Sequence, residues 1–163
     1  MGLKLMLAGA VLAIGCFVAA SAMAESDKQF LSNAIKTDNA EIALGELAVQ
    51  KGASDGVRSF GQTLVDDHRK AKAEAAALTA DLEAKVSGNL TEDAQRELDK
   101  LKGMTGPEFD KEFVSFMVSA HEKDIAAFKE KAGEGNRPVP VLAGKALPML
   151  QRHLELAQSL NAH

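Results

Sequence analysis

His68, His121 and His153 each lie in a run whose apolar residues recur every three or four positions, so each imidazole faces inward on a helix. His68 follows Val65-Asp66-Asp67, His121 follows Val118-Ser119-Ala120, and His153 stands between Arg152 and Leu154. Neutral imidazole is the commonest ligand for zinc, copper and nickel, and three of them with a carboxylate or water fill a tetrahedral site. Hairpin arithmetic tests whether the rings meet. Reflecting His121 about a turn near Asn136 lands near Gln151, two residues from His153, and reflecting His68 about Ala53 lands on Asp38, with Glu41 on the same face. At a rise of about 1.5 Å per residue these offsets come to only about 3–5 Å. The expected centre is one transition-metal ion (Zn, Cu or Ni) held by Glu41, His68, His121 and His153, with Asp38 as an alternative carboxylate. Asp67 and Asp124 are placed to accept from the ring N–H groups. Met117 and Met149 each stand one turn before a histidine, where a thioether favours copper; both also read as plain core.

A histidine on an apolar stripe is also an ordinary core residue whose nitrogens find a carboxylate or carbonyl. Asp38 and Glu41 would then be ion partners of a protonated ring. His163, at the terminus, reads as solvated. No nucleophile is placed for catalysis, since Ser119 lies two residues from His121 and points elsewhere on its helix.

The elements that must position these residues are all helical. A first helix is expected from Asp27 to Lys51 and a second from Ser54 or Asp55 to about Val86, its stripe running Val57, Gly61, Leu64, His68, Ala71, Ala75. A short amphipathic helix from Thr91 to about Met104 follows, then a long one from Pro107 to about Ala132, with proline at its tolerated first turn. Gly133 to Pro140 reads as a break, and the last helix, Val141 to Asn161, must kink or split at Pro148. Nothing reads as a strand. Short links predict two antiparallel hairpins, while the long link from Ser87 to Gly106 carries the chain back along the bundle or merely caps it. The fold class is an all-α, ferritin-like four-helix up-down bundle with an extra short helix between the second and third long helices. A crossover between hairpins and plain alternation both remain open.

Compartment is read from the first residues. Lys4 precedes an apolar run from Leu5 to Ala20, and Ala22 and Ala24 are the small residues that a signal peptidase requires, so residues 1–24 are expected to be a signal peptide and 25–163 the mature domain. A membrane anchor and a lipid attachment at Cys16 are the competing readings; the small-residue site and the polar turn at Glu25-Ser26-Asp27 favour cleavage and no integral span thereafter. The mature chain then lacks cysteine, which excludes disulfides and thiolate sites. With Lys4 gone, 18 basic residues face 23 acidic ones, a balance that argues against nucleic acid.

The ordered set Glu41-Ile42-Ala43-Leu44-Gly45-Glu46, Asp66-Asp67-His68, Phe109-Asp110 leading to His121, and Leu147-Pro148 leading to His153 resembles the exported bacterial family known as domain of unknown function 4142, often described as outer-membrane proteins. The likeness spans nearly the whole mature chain. It implies a ferritin-like bundle in the periplasm or at the outer membrane, and it carries over Glu41, Asp67, His68, His121 and His153 as signature positions. It implies no reaction. Ferritin-like di-iron enzymes place a Glu three residues before each of two histidines, whereas Val65, Val118 and Leu150 stand there here, so di-iron chemistry is not expected. The expected role is a metal-binding envelope protein, in buffering or stress tolerance, rather than an enzyme; a non-catalytic structural or interaction protein with a polar core is the alternative.

Overall fold

The computed structural model describes residues 26–82 and 88–161. The leader assigned to 1–24, Cys16, the end of the second helix at Val86, and His163 lie outside the described residues. Five helices and no strand are present among those described: α1 (Asp27–Lys51), α2 (Asp55–Asp81), α3 (Glu92–Lys102), α4 (Gly106–Ala132) and α5 (Pro138–Asn161).

Local chemistry explains the starts. Ser26, Ser54 and Thr91 each accept the N–H of the residue three positions on, supplying the first turns of α1, α2 and α3 with the acceptor they lack. At α4, Gly106 takes φ +66° and Pro107 occupies the first turn, where its missing N–H costs nothing. The same tolerance corrects the expected start of α5. Pro138 and Pro140 both fit its first turn, so the helix begins three residues before Val141 and the break narrows to residues 133–137. Nor does Pro148 split it: α5 runs through as one element with the proline on its exposed side.

The contacts at the helix ends set the directions. Asp27 at the start of α1 pairs with Lys131 and Arg137 around the α4–α5 turn, so α1 and α4 are antiparallel. Asp110 in the first turns of α4 accepts the N–H groups of Ala53 and Ser54, both at 2.8 Å, which brings the start of α2 beside the start of α4. A Cβ on Gly56, near the start of α2, would meet Leu160 at the end of α5, so α2 and α5 are antiparallel as well. The bundle is therefore two hairpins, α1–α2 and α4–α5, joined by a link that returns along its length. Plain alternation along the chain is not adopted, because the link is long enough for α3 to cover the α1–α4 seam. Lys51 fastens the far end of α3 by donating to the carbonyls of Leu101 (3.4 Å) and Lys102 (2.5 Å).

Within the first hairpin α1 and α2 approach closely. A Cβ on Gly45 would sit 2.7 Å from the carbonyl oxygen of Gly61, and one on Gly61 2.7 Å from that of Gly45. Two apolar clusters fill the interior. One gathers Leu44, Phe60, Leu64, Phe109, Phe113, Met117 and others; the second gathers Phe30, Leu31, Ile35, Ala75, Val139 and Ala143. Every long helix also carries a buried polar residue in its middle: Asp38 and Glu41 on α1, His68 on α2, His121 on α4, and His153 on α5.

Candidate metal centre

This polar layer is buried as deeply as the apolar core. His68, His121, His153 and Glu41 are each at most 2% exposed, and Asp38 is 6% exposed. The three rings form a triangle, with centroids 5.3 Å (His68–His153), 5.4 Å (His121–His153) and 6.1 Å (His68–His121) apart. One ring nitrogen of each lies within 4.8 Å of those of the other two, which places the set to hold a metal ion.

Each ring already spends one nitrogen on the protein. His121 Nδ1 is 2.9 Å from the carbonyl oxygen of Met117, which can only accept, so Nδ1 carries the hydrogen and Nε2 of the neutral ring is bare. His153 Nε2 donates to Asp67 Oδ2 at 3.1 Å, leaving Nδ1 bare. His68 Nδ1 donates to Asp38 Oδ1 at 2.9 Å, and its Nε2 is buried without a partner. Two lone pairs are thereby left inside the bundle, joined by a third on His68 Nε2 when that ring is neutral, and His121 Nε2 faces His153 Nδ1 at 3.3 Å.

Electrostatics keeps two of the rings neutral. Burial pushes His121 down to about 4, helped by the neighbouring charge of His68 and opposed by its bond to Met117. Burial likewise takes His153 down to about 4, against the pull of Asp67. His68 goes the other way: burial would depress it, but its bond to Asp38 and the charges of Glu41 and Asp38 raise it. Burial raises Glu41 to about 7, with the charge of Asp38 adding, and Asp124 to about 7, with the charges of Glu41 and Asp38 adding. Asp38 is also raised by burial, despite its bond to His68. Asp67, on the rim, is held low: burial is outweighed by bonds from His153 and from Arg152 at 2.6 Å.

The expected residues divide as follows. Asp38 and Asp67 each hold a ring through a hydrogen bond, to His68 and to His153 respectively. Asp124 accepts from no ring, acting on His68 and His121 through its charge. Met117 contributes its backbone carbonyl while its side chain packs in the apolar cluster. Met149 lines a cavity of about 250 Å³ that also reaches Asp38, Asp67, His68 and Asp124. A cleft of about 490 Å³ between α1, α3 and α4 reaches Glu41, and Thr37 and Asp124 line both spaces. Glu41 Oε2 is buried without a partner.

Two contributors escape sequence reasoning. Arg152 looks like solvent-facing charge, and only the docking of α5 on α2 shows that it braces Asp67. Glu97 looks like the wet face of a short helix, yet it is 8% exposed with Oε1 unpartnered. The one signal for each was adjacency to an expected element: Arg152 to His153, and Glu97 to the apolar stripe of α3.

Comparison with known proteins agrees with this architecture. The crystal structure of a DUF305 fragment from Deinococcus radiodurans superposes with a TM-score of 0.74 at 12% identity, covering 83% of this chain and 95% of that one, which is a likeness of fold. No match is found among curated proteins. Residues 17–160 match the profile of the domain of unknown function DUF4142, and the chain belongs to that family.

Proposed function

We propose that this chain is an exported, ferritin-like bundle that binds one divalent transition-metal ion through His68 Nε2, His121 Nε2 and His153 Nδ1, with Glu41 as the fourth donor, and that it buffers such ions in the cell envelope. The observation that carries the reading is the commitment of every outward nitrogen. A ligating histidine characteristically donates its other N–H to a carboxylate or carbonyl, as Asp38, Met117 and Asp67 receive here. The spacing fits too. Two nitrogens held about 2.0–2.1 Å from one ion at the tetrahedral angle are about 3.3 Å apart, the separation of His121 Nε2 and His153 Nδ1. An edge of up to 4.8 Å closes by about 1.5 Å to complete such a triangle. The two-hairpin arrangement with one crossover supports the ferritin-like reading, and the leader supports export. The valines and leucine that replace the bridging glutamates still disfavour two irons.

A second reading, a structural polar core in an envelope interaction protein, draws on the His68–Asp38 pair, which satisfies itself as an ion pair if the ring is protonated. Thermal melts of untagged, chelator-stripped protein separate the two. At metal concentrations about 100 times Kd, a native-state ligand stabilises by about 2.7 kcal/mol, which raises Tm by several degrees. His121→Ala is expected to abolish that rise while the helical circular dichroism persists. If Zn²⁺, Cu²⁺ and Ni²⁺ all leave the wild-type Tm unmoved, the metal reading fails.

A further inference from the structure

Among the described residues, four buried side-chain atoms lack a hydrogen-bond partner: Asp27 Oδ1, Glu41 Oε2, His68 Nε2 and Glu97 Oε1. Asp27 Oδ1 has an ion partner, Lys131, at 3.6 Å. The other three are progressively more buried: Glu97 is 8% exposed, Glu41 2% and His68 1%. Glu97 and Glu41 line the same cleft between α1, α3 and α4, and Glu41 acts by its charge on His68. An unpartnered buried oxygen or nitrogen costs stability wherever it occurs, so two in one cleft, with a third on the residue that Glu41 acts on, call for a common explanation. All three are metal-donor atoms.

We infer that this cleft is the loading route of the ion, with Glu97 a transient carboxylate site that passes it by Glu41 to His68. The inference rests on the metal reading above. The mouth of the cleft already takes a positive charge: Lys100 Nζ stands 2.5 Å from Glu112 Oε1 and 4.0 Å from Glu97 Oε2. Lys100 is half exposed on a flexible stem, so it can give way to a free cation. The opposite cavity, which His68 lines, carries as many basic residues as the cleft, but two of its carboxylates are already engaged: Asp67 is bound by Arg152 and His153, and Asp38 by His68. A carboxylate-lined approach raises the local cation concentration and thereby the rate of capture.

The test is stopped-flow uptake of Co²⁺, followed by visible absorbance, into chelator-stripped protein, with release measured by chelator chase. Glu97→Gln is expected to slow association and release together, by about tenfold, because it removes a station on the path rather than a ligand. Lys100→Ala is expected to speed uptake by clearing the mouth. Glu74→Gln, on the wall of the opposite cavity, serves as the control and should match wild type. Unchanged association in Glu97→Gln overturns the route, as does equal slowing in Glu74→Gln. Weaker equilibrium binding in Glu97→Gln without slower association overturns it too. Absence of any Co²⁺ spectrum in wild type fails the site itself, a result distinct from all of these.

Discussion

His121 Nε2 and His153 Nδ1 face each other at 3.3 Å, and each ring's only hydrogen is turned away, toward Met117 and Asp67 respectively. Two bare nitrogens at that distance repel unless a proton or a cation lies between them. Burial makes the proton a poor choice for either ring, so a cation is the stronger attractor.

Asp67 holds this arrangement in place for His153. Its loss frees the imidazole to rotate and to carry its hydrogen on the inward nitrogen. Asp67→Ala is expected to weaken metal affinity by about 10- to 100-fold, measured by competition with a chromophoric chelator. The side chain is on the rim, so helical content should be preserved. Unchanged affinity would mean that His153 is not a ligand.

The metal-free protein should respond to pH in a specific sense. His121 and His153 have folded values near 4 against an ordinary 6.5, so between those limits the unfolded chain binds protons that the folded one refuses. Their contribution is fully present above 6.5 and is lost as pH falls toward 4. Glu41 and Asp124 act oppositely, with folded values near 7 against ordinary values of 4.5 and 3.8. Their contribution is complete at low pH and is lost as pH rises through 7. The two sets offset each other up to about pH 6.5. Beyond it the carboxylates and the raised His68 titrate without opposition. Urea denaturation of stripped protein should show stability falling by about 1–2 kcal/mol between about pH 6.5 and 8. A rise over that interval would contradict the buried, protonated carboxylates.

The contact of Gly45 with Gly61 sets the spacing of α1 and α2, and with it the meeting of Asp38 and His68. Alanine at Gly61 places a methyl group 2.7 Å from a backbone oxygen and 2.9 Å from the Ala48 Cβ, neither of which can swing aside. Gly61→Ala is therefore expected to destabilise the fold by about 1–3 kcal/mol, read from the urea midpoint. A neutral or stabilising effect would show that the helices part without cost.

Asp110 ties the α1–α2 turn to α4 through two charge-assisted hydrogen bonds. Asp110→Ala should cost about 1–3 kcal/mol while leaving the midpoint of metal binding in place, since Asp110 does not belong to the polar layer. A variant as stable as wild type would reduce the pair of bonds to a surface ornament.

Much of this was legible in the residues. Capping serines, terminal glycines and the three-four spacing of apolar positions gave helix limits to within a few residues, because those signals are local. The start of α5 was misread since a proline pair looks like a break until its place in a first turn is seen. Asp38 and Glu41 both lay on the inward face, but periodicity cannot say which bonds the ring and which is left unpartnered. The Met117 thioether drew attention that belonged to its carbonyl. Arg152, Glu97 and Asp110 act across helices, and such partnerships are made only by docking.

The polar layer is divided evenly between the hairpins. Asp38, Glu41 and His68 belong to the first, while His121, Asp124 and His153 belong to the second. Each hairpin closes through a short turn. Packing the two together dehydrates six ionisable groups, so the seam between the hairpins is also what builds the centre, and an ion bound there would act as a clasp between two halves of the chain.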